Sequence, residues 1–198
     1  MASNNKSTTI HVAPFILALR ILTLLLFVGS IAVLLLDTYK LSDGEKTTFK
    51  DINAYRYVVA TAAIGAVYLI LQLPFAIYYG CTEKRLIPGK VLAEVDFYGD
   101  KVVSLFVASG VGAGFAVSFE LKDFVPGAFD LLILVAQSAS GGGGGGALDD
   151  DYTRLLQEER DKIPGFLDKG YIASGILLAG CVFMIFVSVL SSINRTNT

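Results

Sequence analysis

The chain has 198 residues, 54% of them hydrophobic and 17% charged, with a mean hydropathy of +0.61; it is too apolar for a water-soluble domain of this size, so a bilayer is the expected solvent. A net charge of −2 and the lack of any Lys/Arg block exclude nucleic acid as a partner and strong recruitment by anionic lipid. One histidine, His11, and two cysteines far apart, Cys81 and Cys181, exclude a histidine metal cluster, a disulfide framework and the paired thiols of membrane oxidoreductases.

Four runs are long enough to cross a hydrocarbon core of about 30 Å as helices. The expected fold is an all-α membrane protein, a four-transmembrane-helix bundle with spans at about 15–36, 57–79, 100–120 and 170–193. Residues 1–14 form an N-terminal tail. The first run opens after Pro14, which suits a first helical turn because the N–H it lacks has no partner there anyway. The run exceeds a usual signal-peptide core and no small-x-small cleavage site closes it, so it is read as retained. Its only charge is Arg20. A charge inside hydrocarbon costs at least about 2.5–3.5 kcal/mol on insertion scales and normally faces protein or serves a task, which makes Arg20 a candidate functional residue.

Residues 37–56 are polar and carry no strand or helix pattern. The second run contains Gln72 and Pro74; the proline removes a backbone bond and is expected to bend the helix near its end. Tyr57, Tyr68, Tyr78 and Tyr79 lie mostly towards its ends, where amphipathic rings anchor at headgroups. Glu83, Lys84 and Arg85 follow, and Pro88-Gly89 marks a turn. Cys81 is read first as a bystander thiol and second as a juxtamembrane acylation site.

The third run opens on Asp100-Lys101, which places Asp100 at its mouth as an acidic partner for Arg20. Gly110 and Gly114, four apart at its centre, leave a groove where another backbone can approach closely. Ala62 and Ala66 in the second run, and Gly175 and Ala179 in the fourth, repeat the pattern more weakly. All six are expected helix-packing positions, first within the bundle and second between chains.

The connection 121–169 is expected to be a long glycine-rich loop. Its apolar run 131–136 is too short to span a membrane, and either continues the third helix, dips back or packs on the bundle. The six glycines at 141–146 are a flexible spacer, since no strand precedes them and no Lys-Ser/Thr follows. Asp149, Asp150 and Asp151 read as the cap of a short helix and not as a metal site. Pairs four apart, Asp150–Arg154, Arg154–Glu158 and Glu158–Lys162, support that helix, and Pro164-Gly165 is expected to stop it. Residues 194–198 form the C-terminal tail.

Four crossings put both termini on one side, and the Lys/Arg distribution does not decide which side once the long connection is discounted. Sequons at Asn5-Lys6-Ser7 and Asn194-Arg195-Thr196 offer a test, because a glycan on either places the termini outside.

With these features in place, the chain resembles the plant Casparian strip membrane domain protein-like family. The resemblance rests on Ala18-Leu19-Arg20-Ile21-Leu22, on Tyr98-Gly99-Asp100-Lys101-Val102-Val103-Ser104 through Ala108-Ser109-Gly110, and on Asp168-Lys169-Gly170-Tyr171-Ile172-Ala173-Ser174-Gly175. It covers the four helices and their edges but not the glycine-rich connection. It implies a fold akin to the MARVEL tetraspans, a multi-pass plasma-membrane location with cytosolic termini, and homo- and heterotypic association into scaffolds. In the founding members such scaffolds guide local cell-wall modification. Those members carry cysteines in their outer loops, and this chain has none there, which sets it with the "-like" paralogues.

With cytosolic termini, Arg20 and Asp100 both fall in the cytosolic half. Arg20 lies roughly 9 Å along the helix from Pro14 at 1.5 Å per residue, within reach of a snorkelling side chain. Paired, the two form a charge-assisted structural ion pair that sets helix register. Two alternatives stand beside it: Arg20 on lipid phosphates with Asp100 capping its helix, or an ion or proton pathway, to which only Gln72 adds a further strongly polar group. No catalytic, cofactor-binding or metal-binding set converges, so the expected function is a non-enzymatic scaffold whose partners are itself, related chains and the lipid bilayer. The alternative is a small channel or transporter-like tetraspan, for which no pair of broken helices is visible.

Overall fold

The computed structural model describes residues 4–40, 46–48, 52–82, 90–140 and 146–196. Four helices follow in order: α1 (Asn4–Leu36), α2 (Asn53–Thr82), α3 (Lys90–Ser140) and α4 (Gly146–Thr196). Between α1 and α2 stand two short strands, β1 (Thr38–Lys40) and β2 (Lys46–Thr48). Each helix holds a stretch long and apolar enough to cross a membrane, Pro14–Leu36, Asn53–Tyr78, Phe97–Ala136 and Tyr152–Ser192. The architecture is the expected four-helix membrane bundle. Helices satisfy every mid-span backbone group internally, and large apolar side chains such as Leu25, Val67, Leu105 and Val182 face outward, where lipid replaces water.

The helices form a ring in which α1 packs on α2, α2 on α3 and α3 on α4, while α4 closes on α1. Phe27, Leu34, Val58, Leu69, Val107, Leu177 and Met184 fill its centre. Phe27 of α1 is completely buried, and its ring lies against two glycines: a Cβ on Gly65 of α2 would come within 2.6 Å of it, and one on Gly180 of α4 within 2.7 Å. Side-chain volume on one helix thus fills notches cut in two others, the packing that holds helices together where lipid is as apolar as the core.

Gly110 and Gly114 also sit at contacts within the bundle. A Cβ on Gly110 would overlap the Thr61 hydroxyl of α2, and one on Gly114 would overlap the Ser174 hydroxyl of α4. Ala62 and Ala66 are buried in the core, and Ala179 is half-buried. Gly175 differs from its expectation: open space surrounds the position of its missing Cβ, and the close approaches on α4 fall at Gly170 and Gly180 instead. Spacing shows where small residues lie, but the rotation of the helix decides which of them meet a neighbour.

Three further expectations are corrected. Residues 37–56 contain an antiparallel hairpin, with Thr38 opposite Thr48, Tyr39 opposite Thr47 and Lys40 opposite Lys46. Strands of three residues are too short to show an alternating pattern, although Thr and Tyr favour them. The stretch 121–169 is not a long loop, because α3 runs on to Ser140 and α4 begins at Gly146. Leu155, Leu156, Gln157, Glu158, Glu159 and Arg160 are strong helix formers, and the two extensions are bridged by Arg160 Nη2 and Asp130 Oδ1 at 3.1 Å. The Glu158–Lys162 pair also forms. Finally, neither Pro14 nor Pro164 ends a helix; each lies inside one. Around Pro164 the half-buried Ile163 and the buried Phe166 and Leu167 all join the core, and that burial outweighs a cost of about 3 kcal/mol for an interior proline.

The Pro88-Gly89 turn, the Glu83–Arg85 cluster and the glycines 141–145 lie outside the described residues. So do the side chains of His11, Cys81, the acidic triplet 149–151 and the asparagines of both sequons.

Helix length and the placement of charge bound the part of α3 that a bilayer can cover. α3 has 51 residues, roughly 75 Å at 1.5 Å per residue, more than twice a hydrocarbon core of about 30 Å. Its charge-free part, 102–119, lies between Asp100-Lys101 and Glu120, Lys122 and Asp123; on α4 the charge-free part begins after Asp168-Lys169. Beyond these charges α3 and α4 continue side by side, and a hydrocarbon core of about 30 Å set on the charge-free parts would leave this helical pair outside it.

Candidate functional site

At the terminal-side end of the bundle, three helices each contribute polar groups to one buried cluster. Arg20 comes from α1, Asp100 from α3, and Tyr68 and Gln72 from α2, where a spacing of four puts both on one face. The structure brings Arg20 and Asp100 together: Arg20 Nη2 stands 3.2 Å from Asp100 Oδ2, with side chains only 7% and 3% exposed. Arg20 Nη1 donates to Gln72 Oε1. Gln72 Nε2 donates to the Tyr68 hydroxyl, which in turn donates to Asp100 Oδ1 at 2.8 Å. The four side chains close a ring of hydrogen bonds in which both carboxylate oxygens are occupied.

Local sequence makes this geometry possible. A Cβ at Gly99 would stand 2.5 Å from the Tyr68 hydroxyl, so only glycine before Asp100 lets that hydroxyl lie against α3. One turn on, the Ser104 hydroxyl donates to the Asp100 carbonyl at 2.5 Å, and Cys181 Sγ of α4 lies 3.6 Å from the Ser104 carbonyl oxygen. Cys181 is buried and free. Within this cluster, Arg20 Nε has no hydrogen-bond partner among the described residues.

Chemically, the ring holds one positive and one negative charge, each hydrogen-bonded and shielded from lipid. Such a cluster is costly to open, because removing a member leaves buried polar groups unsatisfied. Apart from Arg20 Nε, the polar atoms of the ring named above bond to one another. Among the described residues no three His, Cys, Asp or Glu side chains gather as metal ligands.

A second polar cluster at the opposite end escaped the sequence. Asp37, at the end of α1, is buried, and Lys169 Nζ of α4 donates to its Oδ1 at 2.9 Å. Its Oδ2 has no hydrogen-bond partner among the described residues. Burial pushes the Asp37 carboxyl above the usual range, while the hydrogen bond and charge of Lys169 hold part of that rise back. Close by, the Tyr55 hydroxyl meets Ser118 Oγ at 2.9 Å, and Ser30 Oγ donates to the Ala173 carbonyl at 2.8 Å. In sequence Asp37 marks only the end of an apolar run. Tyr68 could have been found from its spacing to Gln72.

Comparison with known proteins agrees with the resemblance noted above. Residues 11–123 match the family model of the Casparian strip membrane protein domain, a stretch that includes Arg20, Tyr68, Gln72 and Asp100. The chain is 32% identical to CASP-like protein 4D1 of Ricinus communis over 89% of its own length and 88% of the relative's. It is 34% identical to CASP-like protein 4D2 of Arabidopsis thaliana, over 89% and 87% of the two chains. With CASP-like protein 4D1 of Glycine max it shares 38% identity over 63% of its length and 75% of the relative's. No solved structure matches the chain.

Proposed function

This chain belongs to the Casparian strip membrane protein family, and on that premise we propose that it is a non-enzymatic plasma-membrane scaffold, with cytosolic termini, that associates with itself and with related chains. The observation that carries this reading is an apolar face on the part of α3 beyond the hydrocarbon. Phe124, Leu131, Leu132, Leu134 and Val135 are each at least half exposed there. Phe124, Leu131 and Val135 recur at i, i+7 and i+11, one side of a helix. An apolar stripe of this size in water is the mark of an interaction surface, and α4, the helix beside it, turns charged residues such as Arg154, Glu158 and Asp161 to solvent.

The closed polar ring supports a scaffold over a pathway, since its polar groups serve one another and not a permeating ion. With cytosolic termini, the outer helical pair faces the cell wall, where a clustered scaffold can guide local wall modification. The test is lateral mobility and self-crosslinking of the full chain in plant plasma membrane, with Leu131→Glu plus Val135→Glu as the variant. The reading expects slow diffusion and crosslinked dimers or larger species in the wild type, and faster diffusion with fewer crosslinks in the variant. A wild-type chain that diffuses freely as a monomer rules it out.

A further inference from the structure

Where α3 and α4 leave the hydrocarbon, a cleft of about 240 Å³ opens between them, lined by Ser118, Phe119, Lys122, Leu167, Asp168 and Tyr171. Its depth follows from the helix: Lys122 lies 22 residues after Asp100, roughly 33 Å further along α3, so the cleft stands at the headgroup level of the leaflet opposite the termini.

The walls carry three kinds of chemistry side by side. Lys122 Nζ lies 2.6 Å from Asp168 Oδ1, and both side chains are half exposed at the rim. The rings of Phe119 and Tyr171 stand at 87° to each other with centroids 5.7 Å apart. They form a corner and not a stack, and Phe115 braces the Tyr171 ring at 5.0 Å. Perpendicular aromatic rings beside a carboxylate are the elements of a cage for a quaternary ammonium group, and a lysine at the rim is a point donor for phosphate.

We infer that this cleft receives a phosphocholine headgroup, with its phosphate on Lys122 and its trimethylammonium in the Phe119–Tyr171 corner beside Asp168. An exposed ion pair holds its geometry weakly, so the Lys122–Asp168 pair opens and each charge passes to a ligand charge of opposite sign, leaving the net charge unchanged. The other headgroups fit less well. A purely anionic one leaves Asp168 facing like charge. An ethanolamine headgroup lacks the methyl groups that pack on the two rings. The inference stands apart from the scaffold reading, since it needs only the interfacial position of the cleft.

The test uses the full chain in nanodiscs containing equal amounts of phosphatidylcholine, phosphatidylethanolamine and phosphatidylglycerol with identical acyl chains, with retained lipids counted by native mass spectrometry. The wild type should retain phosphatidylcholine several-fold over the other two. Tyr171→Leu should bring the three towards equality with helix content by circular dichroism unchanged. The exchanged pair Lys122→Asp with Asp168→Lys should do the same, because it keeps an ion pair but moves the carboxylate away from its place beside the rings. Displacement of the retained lipid by free phosphocholine assigns recognition to the headgroup alone; retention against it assigns the intact lipid. Equal retention of the three lipids by the wild type, or a phosphatidylcholine preference that survives both variants, overturns the inference.

Discussion

Arg20 reaches Asp100 across the centre of the bundle, joining α1 to α3, which stand at opposite corners of the helix ring. Neighbouring helices are held by packing along their length, whereas this diagonal is tied by a charge. Arg20→Ala or Asp100→Ala should each cost about 3–5 kcal/mol, as when one partner of a buried pair is removed, measured by denaturant unfolding of the purified chain. The exchange Arg20→Asp with Asp100→Arg should recover part of that loss, with the remainder owed to Tyr68 and Gln72, which are oriented for the native polarity. An exchanged chain no more stable than either single variant rules out the pair as the tie between α1 and α3.

Tyr68 both accepts from Gln72 and donates to Asp100. Tyr68→Phe removes both bonds and should destabilise by about 1–3 kcal/mol, the cost of leaving buried polar groups unmade. Because the four side chains act as one ring, Tyr68→Phe and Gln72→Leu should be non-additive by about 0.5–3 kcal/mol in a double-mutant cycle. Simple additivity would show that the ring does not act as a unit.

Phe27 lies between Gly65 and Gly180. Truncation by Phe27→Ala opens a cavity against two helices at once and should cost about 3–5 kcal/mol. Gly65→Ala and Gly180→Ala press on the same ring and should cost about 1–3 kcal/mol each. Combining Phe27→Leu with Gly65→Ala should be milder than the sum of the two, since the smaller side chain makes room for the added methyl. Thermal unfolding of the purified variants gives the comparison.

Asp37 sets a dependence on pH. Its carboxyl is raised above the usual value near 3.8, chiefly by burial, so between that value and the raised one the folded chain binds more protons than the unfolded chain. Stability therefore falls as pH rises through this window and is free of the penalty below it. Asp37→Asn should flatten that slope. Lys169→Met, which removes the cation that holds the carboxyl down, should shift the Asp37 titration further upward, as followed by the ¹³C shift of its carboxyl carbon.

Much of the architecture is legible in the chain. The four spans, the single charge in the first and the acid at the mouth of the third are local features that hydropathy and charge display directly. Tyr68 is less visible: its spacing of four to Gln72 sets the two on one face, but a tyrosine in a span also reads as a headgroup anchor, and Gly99, which admits its hydroxyl, lies on another helix. Residues 121–169 resemble a loop one residue at a time, because prolines, glycines and a short apolar run carry no sustained helical pattern. Two helices lying side by side stabilise each other through contacts distant in sequence, such as Asp130 with Arg160.

By itself the sequence determined the solvent, the number of crossings and the presence of a charge in need of a partner, because the cost of burying each group in lipid depends on that group and its immediate neighbours. Only the tertiary structure decided that Arg20 shares Asp100 with Tyr68 and Gln72, that Phe27 rather than Gly175 marks a tight contact, and that Asp37 meets Lys169. Those outcomes depend on how far each helix is rotated about its axis. That rotation is set by the packing of all four helices together and is written in no single one of them.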